Sequence, residues 1–131
     1  MVVTWSRWIH VGAAWLFGAG VLLQGYLAGQ ALTQLGGSGD FEAHRSIGFS
    51  VMGILALIVL VAALVGRLPR AHVGLSALLL VLYIVQTSLP GMAGSSPALA
   101  ALHPVNAMVL LGLAVAIGFR ARRIVMGDRA A

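Results

Sequence analysis

Four stretches of apolar sequence divide this chain, each near or above the roughly 20 residues that an α-helix needs to cross a bilayer, and they leave it little else to fold into. Short polar breaks separate them. "GGSGD" (36–40) reads as a flexible loop ending on an acidic residue, "GRLPR" (66–70) as a tight basic turn, and "PGMAGSSP" (90–97) as a Gly/Pro/Ser loop with Ser96 as N-cap and Pro97 at the first helical position. The pattern predicts an all-α fold: a transmembrane up-down four-helix bundle with helices over about 5–32, 41–65, 70–89 and 97–123, the last starting at Pro97 or at Pro104. Short connections make sequential helices antiparallel neighbours. Composition agrees, since 60% of the 131 residues are apolar and only 8% charged, too few charges for a soluble domain of this size. Residues 1–131 therefore read as one transmembrane domain with the lipid bilayer as its first partner.

The charges are unevenly placed. Arg7, Arg67, Arg70, Arg120, Arg122, Arg123 and Arg129 fall on one side of the membrane, and Arg45, Asp40 and Glu42 on the other. The positive-inside rule puts both termini in the cytoplasm, and the chain is expected in a bacterial cytoplasmic (inner) membrane as a multi-pass protein. Arginines at helix ends are topology signals, and no nucleic-acid partner is expected. The first helix is too long for the apolar core of a signal peptide, and "LAGQA" (27–31) is a poor cleavage site. Cysteine is absent, which excludes disulfides, thiolate metal sites, iron–sulfur clusters and thioether-attached haem.

The four histidines, His10, His44, His72 and His103, each fall near the N-terminal end of a different helix. Because successive helices alternate in direction, His10 and His72 share the cytoplasmic level, and His44 and His103 the outer level. A second regularity accompanies the first. Gln24 follows His10 by fourteen residues, and Gln86 follows His72 by fourteen, so each Gln shares a helix face with its His, with Phe17 and Leu79 halfway between. Offsets of 62 (His10 to His72) and 59 (His44 to His103) read as a tandem repeat of a helical hairpin. The members of each His pair are then diagonal partners.

Neighbouring helices pack about 8–10 Å apart, which makes a diagonal roughly 13 Å. Two imidazoles reaching inward across it leave room for a flat macrocycle with an axial nitrogen on each face. A bare metal ion would want more ligands. The expectation is haem b, one or two per chain: an outer haem on His44 and His103, and a second, inner haem on His10 and His72, with the haem iron as the metal. Gly48 and Ala107, each one turn beyond its histidine, would let a porphyrin approach the backbone, as would Ser50 and Gly53, and Asn106 lies beside Ala107. Pro104 biases His103 away from α geometry, so the "HP" pair is expected to set the angle of an axial ligand.

Blander roles stand beside these. An interfacial histidine can reach headgroups or water, and His72 lies close to the basic turn. Gln24 and Gln86 read equally as interhelical hydrogen bonding or as partners of the outer site. Arg45 could pair with a haem propionate or anchor the interface, and Arg7 and Arg70 are its inner analogues. The Trp and Tyr residues read as belt and packing aromatics.

"FEAHRSIGFSVMGILALIVLVAALVGR" (41–67) and "ALHPVNAMVLLGLAVAIGFRARR" (101–123) together resemble a family of small bacterial four-helix membrane proteins of unknown function. They also resemble one half of haem A synthase, in which histidines of the second and fourth helices form an outer haem site; His44 and His103 match those positions. The synthase has two such halves and a glutamate within the first helix of a half, where this chain has Gln24. In architecture the two-level pattern is similar to the core of cytochrome b561, which implies a haem near each face. The resulting expectation is a b-type cytochrome-like electron carrier rather than a catalyst, with ligand levels about fifteen residues, or 23 Å, apart and an unknown redox partner. Two alternatives stay open: a haem-handling or haem-modifying protein that forms a homodimer, and a non-haem accessory subunit of a membrane complex.

Overall fold

The computed structural model of the chain describes residues 1–127; Arg129, assigned above to the basic side, lies outside them. Four spans are long and apolar enough to cross a membrane: Val2–Ala31, Glu42–Val65, Arg70–Met92 and Pro97–Gly127. The first is the single helix α1 (Val2–Ala31). The second is α2 (Glu42–Phe49) and α3 (Val51–Val65), divided at Ser50, whose hydroxyl donates back to the Ser46 carbonyl at 2.6 Å. Such i−4 back-bonding bends helices. The third is α4 (Arg70–Ser88), continued by a 3-10 turn through Met92, and the fourth is α5 (Pro97–Ala100) followed by α6 (Leu102–Gly127).

The breaks form where the sequence places them. Asp40 Oδ1 accepts the N–H of Glu42 at 2.8 Å and so starts α2. At the other end of that span Arg67 takes a left-handed φ of 49°, and the Leu68 N–H reaches back to the Ala63 carbonyl at 3.0 Å. This is the closure usually given to glycine. Arg7 Nε donates to the Gly66 carbonyl at 2.9 Å, which ties α1 to the same turn. Ser96 is the N-cap with Pro97 first in the helix, although its side chain makes no capping bond. The last span breaks at Ala101, and His103 sits inside the first turn of α6. The expectation that Pro104 takes His103 out of α geometry is corrected: first-turn amides have no intrahelical acceptor, so Pro104 is accommodated there without loss.

The main contacts run α1 to α3, α3 to α4, α4 to α6 and α6 back to α1. Small residues let the backbones approach: Ala13, Ala14, Ala56 and Ala114 are buried around Phe17, Val59, Leu79 and Ile117. Phe17 and Leu79, the halfway residues of the two His–Gln segments, are both fully buried. The outer surface is apolar (Leu22, Ile54, Leu57, Val61, Leu78, Val81 and Ile84 are all exposed), the pattern for helices whose solvent is hydrocarbon. Trp8 with Val11, Ala121 and Val125 forms a second cluster at the arginine-rich end.

Candidate functional site

The histidines meet in two pairs. The ring centroids of His44 and His103 lie 6.1 Å apart with an interplanar angle of 68°, and those of His10 and His72 lie 6.2 Å apart at 69°. The two pairs are nearly identical in spacing and angle although they are built from different residues. Metal–imidazole bonds of about 2 Å, with ring nitrogens about 1 Å from the ring centre, put the centroids of two coaxial imidazoles on one metal about 6 Å apart. Among the described residues no group of three His, Cys, Asp or Glu side chains could cage a metal ion. Two imidazoles at this spacing suit a metal that brings its own equatorial ligands.

Hydrogen bonds orient both rings of the His44/His103 pair. His44 Nδ1 lies 3.1 Å from the Gln24 backbone carbonyl, and His103 Nδ1 lies 3.0 Å from that of Gln86. A carbonyl only accepts, so in the neutral His103 ring Nδ1 carries the proton and Nε2 presents its lone pair. This is the usual orienting arrangement of a metal-binding histidine. The Gln86 carbonyl is free for it because Pro90, four residues on, has no N–H to give. His103 is thus aimed by α4 through this bond, and not by its own proline. His44 Nδ1 has an acceptor in the Gln24 carbonyl and a donor in the Gln24 side-chain amide, 2.8 Å away, so its surroundings suit either tautomer.

The two glutamine side chains behave differently. The Gln24 amide donates to the His44 carbonyl at 2.9 Å and to His44 Nδ1 at 2.8 Å, and accepts from the Gly48 N–H at 3.1 Å, so it bridges one turn of α2 and touches the ring of His44. The Gln86 amide donates to His103 Nε2 at 3.2 Å. Its orientation is set by Asn106, which donates to Gln86 Oε1 at 2.8 Å and to the Leu82 carbonyl at 2.9 Å.

A cavity of about 560 Å³ opens beside this pair, within the roughly 300–1,000 Å³ of cofactor pockets. Gln24, His44, Arg45, Gly48, Gln86, His103 and Ala107 all line it; Asn106 does not, and acts through Gln86. Most of the remaining lining is apolar, from Phe17, Val21, Phe41, Phe49, Met52 and Leu110. Arg45 pairs with Glu42 at 3.2 Å.

Three expectations change. Gly48 lies against the Gln24 amide, and Gly53 against the Tyr83 hydroxyl, so glycine at these positions makes room for protein side chains. Ser50 is exposed and bonded to its own helix. Tyr83 is also more than a packing aromatic: it lines the cavity and donates to the carbonyls of Gly48 at 3.1 Å and Phe49 at 3.0 Å, across the bend in the second span. No sequence motif marks Tyr83, but its place one turn before Gln86 does.

The other pair is closed. His10 is fully buried, with Nδ1 2.8 Å from the Val59 carbonyl, which again leaves Nε2 with the lone pair. That Nε2 and Nδ1 of His72 are buried with no hydrogen-bond partner among the described residues. Ser76, buried beside them, returns its hydroxyl to the His72 carbonyl at 2.8 Å. Arg7 belongs to the turn at Gly66, and Arg70 is exposed at the start of α4.

Residues 24–93, more than half of the chain, match a family of unknown function (DUF6220), and the chain belongs to that family. The match begins at Gln24 and takes in His44, His72 and Gln86. No curated protein and no solved structure matches the chain.

Proposed function

We propose that this member of the family is a haem-binding membrane protein that works as a b-type cytochrome-like electron carrier, built as an up-down bundle of two repeated helical hairpins. One haem lies between His44 and His103, and a second between His10 and His72. The observation that carries the reading is the repeated spacing of 6.1 and 6.2 Å between paired imidazoles, with Nδ1 within hydrogen-bond distance of a backbone carbonyl in three of the four rings. Nε2 of His44, His103 and His10 would ligate iron, while the apolar walls exclude water and the carbonyl bonds hold the rings in place. The two levels are separated by the fourteen residues from His10 to Gln24. At 1.5 Å per residue that is about 21 Å, and haems held at these two levels would supply a path for electrons across the membrane. The arginine-rich end with His10 and His72 faces the cytoplasm, as does each terminus, in a bacterial inner membrane.

A haem-handling role is the second reading, favoured by the openness of the 560 Å³ cavity and by the amide bound to His103 Nε2. The deciding experiment is a visible spectrum of the detergent-purified protein, oxidised and dithionite-reduced, with haem counted by pyridine hemochrome. Sharp reduced α and β bands with about two haems per chain are expected, and His44→Ala and His103→Ala should each remove one. A protein with no Soret band after haem is supplied would end the haem reading and leave an accessory subunit.

A further inference from the structure

The two glutamines hold corresponding places and each amide touches a histidine ring, but at different nitrogens. The Gln24 amide reaches the His44 carbonyl and His44 Nδ1, and no hydrogen bond reaches His44 Nε2 among the described residues. The Gln86 amide donates to His103 Nε2, the nitrogen that iron would need. This contact is built. Asn106 gives one N–H to the Leu82 carbonyl and the other to Gln86 Oε1, which leaves the Gln86 NH2 directed at His103.

From this asymmetry we infer that the iron site at His44 and His103 exchanges ligands on one side only: His103 leaves the iron for the Gln86 amide, and a small uncharged ligand for reduced iron takes the vacated position. The inference rests on the haem reading above. In the exchange the iron–Nε2 bond of His103 breaks and the same lone pair accepts the Gln86 N–H. His44 stays as the single protein ligand, and the incoming molecule donates its own pair to iron. No proton or electron is transferred. Burial favours the swap, because a ring nitrogen released into an apolar cavity is costly unless it finds a donor, and here the donor is preset. No donor reaches His44 Nε2 among the described residues, so His44 is the permanent ligand. The lining from Phe17, Phe41, Met52 and Leu110 is apolar, and the one arginine of the cavity wall, Arg45, is paired with Glu42, which suits a small uncharged molecule.

The test uses carbon monoxide on the dithionite-reduced holoprotein, with haem content measured in the same samples. The wild type should show a carbon monoxide-shifted Soret band for one haem per chain. Gln86→Glu keeps the size of the side chain but presents no N–H as a carboxylate, and Gln86→Leu removes the polar group. Each should lower the carbon monoxide-bound fraction, counted per haem retained, at least tenfold. A loaded wild type that stays six-coordinate under saturating carbon monoxide would overturn the inference and leave the cytochrome reading intact. So would Gln86→Glu and Gln86→Leu proteins that bind the gas as the wild type does. A wild type without haem would fail the cytochrome reading itself, and this inference with it.

Discussion

The two histidine pairs share one geometry and differ in everything around it. At His44 and His103 the ring nitrogens on the protein side are satisfied, Gln24 bonds to His44 and Gly48 while Gln86 and Asn106 bond to each other and to His103 and Leu82, and a cavity opens alongside. At His10 and His72 the rings are buried, two of their nitrogens lack partners among the described residues, and the neighbouring polar groups are the Val59 carbonyl and Ser76. A polar network that is complete holds its members in place without a ligand, whereas an incomplete one is stable only with its missing partner. The first pair is therefore a preformed and accessible site. The second is a closed pair whose two unpartnered nitrogens would gain from a bound metal.

The largest consequence is in cofactor content. His10→Ala should lower the haem count from about two per chain to about one while the spectrum of the His44/His103 centre persists, and combining it with His44→Ala should leave none. Pyridine hemochrome and a redox titration of each variant check this; a His10→Ala protein with full haem content would remove the second centre from the proposal. A middle-sized effect separates the pairs in the absence of haem. His103→Leu leaves both the Gln86 carbonyl and the Gln86 amide without a partner and should cost about 1–2 kcal/mol, the range of interhelical hydrogen bonds in membranes. His72→Leu removes a buried nitrogen that has no partner, and such a replacement is neutral or stabilising. Denaturation of haem-free protein in mixed detergent should thus rank His72→Leu at or above the wild type and His103→Leu below it. The reverse order would dissolve the distinction between the two ends.

Much of this was legible because it is periodic. Apolar run length located the four spans, and the fourteen-residue His–Gln spacing put Gln24 and Gln86 at the level of His44 and His103, where their carbonyls are found. The sequence also carried a signal that went unread: Gln86 followed four residues later by Pro90 marks a helix carbonyl left without its amide. Tyr83 and the side-chain role of Asn106 were less accessible, because they depend on which face of α4 meets the bend at Ser50 and which meets α6. The role given to Pro104 failed for a local reason, since a proline in the first turn displaces no hydrogen bond.

Glycines give the finest contrast between the ends. A Cβ on Gly53 would lie 2.8 Å from the Tyr83 hydroxyl, at the end with the cavity, whereas a Cβ on Gly12, two residues after His10, would meet nothing within 4 Å. Gly53→Ala must push Tyr83 away from the carbonyls of Gly48 and Phe49, and overpacking of this kind costs about 1–3 kcal/mol. Gly12→Ala adds a methyl group toward open space and restricts the unfolded helix, which should stabilise by roughly 0.5–1 kcal/mol. Because Tyr83 also braces the bend in the span that carries His44, Gly53→Ala should broaden the haem bands of the His44/His103 centre, while Gly12→Ala leaves the spectrum of both centres unchanged. Equal effects of the two substitutions on stability and spectrum would mean that the Tyr83 brace has no part in holding His44.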